Sequence, residues 1–420
     1  MARNPPNLIT HRFPALASRD FVLFVVGQLV SVIGTWMQAT ALPYLAYRMT
    51  GRPLDLGLIG FSNTLPTLLF ALPAGVLVER WDKRKVVILF QSIMSIQALG
   101  LAYLTFSGRI QFWHIVFLAF LYGSAVAVEV TARQSMLVEL TGREALPSAI
   151  ALQTTAFTVG RVLGPLCAAW IISTAGGESW VFLTNGISYV FVIAGLFMAQ
   201  TRYRVNQPAA SQPNLRIEFK EGLSYIRNNP LVLSIILMAA LVGFFGIPLI
   251  QQIPAFARDV LTAVADTETM IATRTSTLYA AQGIGALVAA FLAAALTVSN
   301  KSKLLFWGQV TFVLPIIALG FNREISIALV LLVFIGWGTV TQLIMMNTLI
   351  QTQVPDNLRG RVFSIYFWAL QGVAPFGSIV IGWVAQTWNV PISAVFAGVT
   401  CLLGITVIRT TLRNGGHSSA

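Results

Sequence analysis

Long apolar runs separated by short polar connections organise the chain. A spanning helix takes about 20 apolar residues to cross a bilayer core. Twelve segments meet that length, at 21–46, 56–78, 86–106, 112–134, 147–174, 180–199, 231–254, 276–298, 304–321, 325–350, 361–386 and 391–409. The run at 304–321 is the shortest and contains Pro315. The longest connection, 201–230, opens polar with NQPAASQPN and continues as LRIEFKEGLSYIRNNP. Leu215, Phe219, Leu223 and Ile226 recur there at helical spacing, and Asn229-Pro230 ends the pattern. This predicts an amphipathic helix on a membrane face. The expected fold is therefore all-α: twelve transmembrane helices in two six-helix bundles. Residues 1–200 form the first bundle, 201–230 the linker, and 231–420 the second bundle with a short tail. No apolar h-region precedes residue 20, so no cleaved signal peptide is expected.

Composition fixes the solvent. Of 420 residues 56% are hydrophobic and 10% charged, against about a quarter charged in soluble domains. Lipid must cover much of that apolar surface. The net charge of +12 would point to nucleic acid in a soluble chain. Here the bases sit in the connections, where they report topology. With an even number of spans both termini share a side. Twenty Lys and Arg residues fall on that side, six fall on the other, and Arg161 lies within a span. The bias places both termini in the cytoplasm, and no nucleic-acid partner is expected.

Several chemistries find no support. Cys167 and Cys401 lie in separate apolar runs, which excludes a disulfide framework or a CxxC site. His11, His114 and His417 are far apart and lack ligand neighbours, so no metal is expected. There is no GxxxxGK[ST] loop and no nucleophile–base pair. Neither an enzyme nor a bound cofactor is expected.

The halves read as divergent copies. GVLVERWDKRK, from Gly75, aligns with AAALTVSNKSK, from Ala293, placing Lys83 on Lys301 and Lys85 on Lys303. Parallel repeats joined by a linker are a transporter plan. Within the first repeat the loop reads Gly75-x3-Glu79-Arg80-x-Asp82-Lys83-Arg84-Lys85. Its acid can sit near a helix N-terminus, and its bases can pin the loop at an anionic membrane face. Gly75 is expected to allow close helix approach. The fifth span holds Gly160-Arg161-x-x-Gly164-Pro165, a smooth and bendable surface. Charges inside spans are functional suspects. Glu129 and Arg133 share a helix face. Arg161 is offset from Glu129 by about 9 Å of depth, so Glu129 is expected to pair with Arg133 or with a base of the second loop.

These motifs, with TARQSMLVEL, REALPSAIAL, NTLIQTQVPDNLRGRVFSIY and GVAPFGSIVIGW, resemble the major facilitator superfamily over residues 15–410. Within it they resemble a bacterial subgroup of enterobactin-type siderophore exporters and macrolide or tetracycline efflux proteins. The loop has Glu79 for the usual Asp and Asp82 for a common Gly. Ala168-Ala169 replaces a frequent Gly pair after the fifth-span motif. The resemblance implies a monomer in the bacterial cytoplasmic membrane, among its lipids, exporting a small amphipathic organic molecule by alternating access and driven by protons. It implies a cytoplasmic gate at Gly75–Lys85 and a proton-coupling relay of Glu129, Arg133 and Arg161. The first span lacks the acid that many proton-coupled exporters carry. Candidate cavity residues are Gln28, Trp36, Gln38, Asn63, Phe244, Phe245, Gln282, Trp337, Gln342 and Asn347; the alternative for each is packing between helices. A lipid flippase of the same fold and a non-transporting receptor stay open.

Overall fold

A computed structural model describes residues 13–199, 215–262, 266–295 and 300–415. Every regular element among them is helical. In chain order these are α1 (Arg19–Thr50), α2 (Pro53–Arg80), α3 (Lys83–Phe106) and a long helix Phe112–Ala175. Gly142, at φ 75° and ψ 167°, breaks the long helix into α4 (112–141) and α5 (143–175). Only glycine adopts that conformation freely. Then come α6 (Glu178–Met198), α7 (Leu215–Asn228), α8 (Pro230–Ile250), α9 (Glu268–Ala295), α10 (Lys301–Phe321), α11 (Ile325–Gln353), α12 (356–387) and α13 (Val390–Gly415). Among the described residues ten helices are long and apolar enough to cross a membrane. One of the ten holds the two spans expected at 112–134 and 147–174, and α2 covers the span expected at 56–78.

The repeat is visible in the caps. Asp82 accepts from the Lys85 backbone N–H at 3.3 Å and opens α3. Asn300 accepts from the Lys303 N–H at 2.9 Å and opens α10. The lysine alignment puts these two caps on one another, so both copies start this helix with the same side-chain bond.

Two compact units emerge. One contains residues 1–42 and 69–209, the other 43–68 and 210–420. The division therefore runs through α1 and α2 as well as near the linker, and within α1 it falls at Pro43. Small residues explain why 43–68 belongs to the second unit. A Cβ on Gly57 would lie 2.3 Å from the Ser378 carbonyl oxygen. One on Gly60 would lie 1.9 Å from the Gln251 amide oxygen. Gln252 donates to the Pro53 carbonyl at 3.2 Å.

The first unit packs Phe21, Phe24, Met136, Leu137, Val192 and Leu196 in one cluster. The second packs Ile235, Phe312, Ile316, Met346 and Ile381, among others. The outer faces are just as apolar: Trp113, Phe117, Phe291 and Phe321 are each at least 65% exposed. Water would not tolerate such a surface, and lipid does. The helix α7 occupies Leu215–Asn228. Ile226 is buried and Glu221 pairs with Arg361 of α12, while Phe219 and Leu223 stay exposed. Three π turns interrupt the second unit, at Val242–Gly246, Phe256–Val260 and Trp368–Gly372.

Candidate functional site

The charged pair of α4 is built by helical spacing. Arg133 Nε donates to Glu129 Oε1 at 3.0 Å and to Oε2 at 3.3 Å. Gln91 of α3 donates to the same Oε1 at 2.9 Å. Glu129 is only 3% exposed, so these donors replace the water a carboxylate would otherwise hold. Gln91 was not among the candidates; only contact across helices identifies it. Arg161 does not join this cluster. It lies on α5 with its guanidinium carbon 5.4 Å from the Trp36 ring centre, and no described acid pairs with it.

The loop motif divides into different jobs. Lys83 is buried and paired with Glu139 of α4. Arg84 donates to the Phe197 carbonyl at the end of α6, at 3.1 Å. Asp82 is the α3 cap. Two of the three bases of the cluster are thus engaged within the unit. The side chains of Glu79 and Arg80 lie outside the described residues. A Cβ on Gly75 would meet nothing within 4 Å among the described residues.

The α5 motif is a tight seam. A Cβ on Gly160 would lie 2.5 Å from a Val32 methyl, and one on Gly164 would lie 2.4 Å from the Trp36 Cβ. Both glycines therefore seat α1 on α5 inside the first unit. Pro165 is buried in α5 and Gly142 is the one non-helical residue of the long helix. In the second unit a comparable seam joins α12 to α8, with Gly377 under the Phe244 carbonyl and Gly243 under that of Leu370.

The cavity candidates separate by partner. Gln38 is 5% exposed, accepts from Asn185 at 2.9 Å and donates to Gln97 at 3.1 Å. It is an interhelical tie. Asn347 accepts from Gln351 at 2.6 Å. Phe244 and Phe245 meet edge-on at 4.8 Å. Asn63 and Trp337 are half-buried. Gln28, Gln282 and Gln342 are buried, each with at least one amide atom lacking a partner, and the Trp36 indole N–H is likewise unpaired.

A polar cluster in the second unit escaped the sequence reading. Tyr47 of α1 donates to Asp259, and Tyr44 donates to the Glu268 carbonyl at 2.8 Å. Arg258 clasps Glu268 with contacts of 3.0 and 2.5 Å, which raises the guanidinium pKa further. Partial desolvation lifts the Asp259 carboxyl above the ordinary aspartate range. A cavity of about 390 Å³, lined in part by Tyr47, Asp259, Arg323 and Asn389, adjoins this cluster. The signal for it was weak, because acids and bases near helix ends read as solvated loop charge. Among the described residues no group of acids, His and Cys could hold a metal ion.

The fold is that of known transporters. A solved bacterial homologue of the human lysosomal transporter Spinster superposes with a TM-score of 0.71 at 16% identity, covering 94% of this chain and 96% of that one. A D-xylose–proton symporter gives 0.70 at 14%, covering 93% and 96%. The enterobactin exporter EntS of Salmonella choleraesuis is 24% identical over 89% of this chain and 87% of its own length. The multidrug efflux pump Tap of Mycolicibacterium fortuitum is 22% identical over 87% and 89%. Residues 10–419 match the transmembrane secretion effector family. With that match spanning nearly the whole chain, on a fold of helical bundles and glycine seams, the protein belongs to the transmembrane secretion effectors of the major facilitator superfamily.

Proposed function

We propose that this protein is a secondary active exporter of a small amphipathic organic molecule, of drug or siderophore type. Support comes from the exporter and efflux names of its relatives and from unpaired amides and aromatics inside an apolar bundle. It sits in a bacterial cytoplasmic membrane with both termini inside, as the charge bias requires. Transport proceeds by alternating access of two halves, in the domain plan 1–200, 201–230 and 231–420, and the working unit is the monomer.

Protons supply the drive, and the single observation behind that step is Glu129. It is a buried carboxylate on a spanning helix with one cationic partner and one amide partner. Exchange of the Arg133 partner between states would tie this carboxylate to the transport cycle. The loop at Gly75–Lys85 acts as the cytoplasmic gate.

The test is flux from proteoliposomes over a panel of antibiotics and siderophores, with and without an imposed pH gradient. Wild type is expected to move at least one compound faster with the gradient. Glu129→Gln is expected to lose that acceleration. A variant with normal flux and normal pH response would sink proton coupling through Glu129. Translocation of lipid with no soluble compound moved would replace export by the flippase reading.

A further inference from the structure

The α1–α5 seam holds a concentration of unpaired polar atoms. Gln28 Oε1 and Trp36 Nε1 lie on α1, and Gln153 Nε2 and Arg161 Nε lie on α5; all are sealed from solvent without a hydrogen-bond partner. Gln153, Phe157 and Arg161 follow one another at i, i+4 and i+8 and so share a face. Phe157 meets the Trp36 ring edge-on at 5.5 Å, and Arg161 lies over that same ring. Phe157 is 50% exposed, and Arg161 and Trp36 keep part of their surface open. The result is an aromatic wall with two adjacent N–H donors and one full positive charge.

A purely structural arginine in a spanning helix pairs with an acid or with backbone carbonyls. Arg161 has no described acidic partner. Its stacking on Trp36 satisfies part of the charge but none of the Nε donor. A buried donor left unpaired is costly to fold around, and each such exception calls for a physical explanation. Both sealed donors ask for acceptor oxygens, and the cation asks for negative charge. The neighbouring ring faces ask for a flat apolar group.

We propose that Arg161, Trp36 and Phe157 form a subsite for the acidic group of an aromatic solute, with the carboxylate or phenolate on Arg161 and the Trp36 N–H and the solute ring against Trp36 and Phe157. The subsite rests on the exporter reading above and narrows its cargo to aromatic acids. It also removes Arg161 from proton coupling. Gln153 and Gln28, further along the seam, offer a second amide donor and an amide acceptor for polar atoms of a longer molecule.

The test is equilibrium binding of radiolabelled salicylate to the purified full-length protein, in competition with salicylamide, its uncharged counterpart of similar shape. Saturable binding is expected to wild type, with salicylamide a poor competitor. Arg161→Gln is expected to weaken binding about tenfold or more, the loss of a charge-assisted hydrogen bond. Arg161→Lys keeps the charge and loses the planar fork, so a loss of about threefold is expected. Trp36→Phe keeps a ring and removes the donor, with an intermediate loss. If Arg161→Gln is not monodisperse, the lysine and phenylalanine variants decide. Equal competition by the amide, unchanged binding in all variants, or no saturable binding to wild type would overturn the subsite. Salicylate binding without flux of any panel compound would overturn export and leave the subsite standing.

Discussion

Glu129 and Arg133 stand one turn apart on α4, and their pairing is a consequence of spacing alone. What spacing does not reveal is how little else compensates them. Glu129 is nearly sealed and Arg133 has 13% of its side chain exposed. Removing one member of such a pair leaves an uncompensated buried charge, which costs about 3–5 kcal/mol, while removing both is often close to neutral. Arg133→Leu is therefore expected to lower the apparent thermal unfolding midpoint well below wild type. The double variant Glu129→Gln with Arg133→Leu is expected to recover most of it. A double variant that loses the sum of the two single losses would mean that the two charges act independently. Gln91, which also bonds Glu129, should show a smaller effect as Gln91→Leu, since one hydrogen bond to a charged group contributes about 1.5–3 kcal/mol.

At the scale of elements, glycine marks the seams where helices touch. Gly164 of α5 lies against the Trp36 Cβ and the Ile33 carbonyl of α1, and a methyl there would have to push backbone away. Gly164→Ala is expected to destabilise the first unit by about 1–3 kcal/mol and to reduce flux with it. Gly75→Ala faces open space and is expected to be silent in stability. Comparing the midpoints of the two purified variants checks both statements; equal values would remove the seam argument. These two glycines also show what the sequence makes legible. Apolar length located the spans, and the lysine register located the α3 and α10 starts, because both signals are local. The seat of Gly164 on α1, the Gln91 contact and the Gln38 tie depend on which helix lies beside which, and no local pattern carries that. The π turn at Val242–Gly246 was equally silent, since Phe244 and Phe245 read as ordinary apolar positions in a continuous run.

At the scale of the molecule, the compact units do not follow the linker alone. Residues 43–68, the hairpin of α1 and α2, belong with 210–420. They are held there by Tyr47 on Asp259, by Tyr44 on Glu268 and by Gly57 at backbone contact with α12. The alternating access proposed above requires these contacts to break and re-form. Ser378 of α12 is 2% exposed and lies under Gly57. Among the described residues its hydroxyl bonds within its own helix, to the Ala374 carbonyl at 3.0 Å, which makes Ser378→Cys a mild change. In a background with Cys167 and Cys401 replaced by serine and alanine, this cysteine is expected to react slowly with a membrane-impermeant maleimide applied from the side opposite the termini. Tyr47→Phe together with Asp259→Asn removes the hairpin's bond to Asp259 and should raise the labelling rate without any substrate. An imposed pH gradient with transported compound present should raise it in the otherwise unaltered protein. A rate that stays low under both treatments would show that the hairpin does not part from α12, and alternating access through this contact would be wrong.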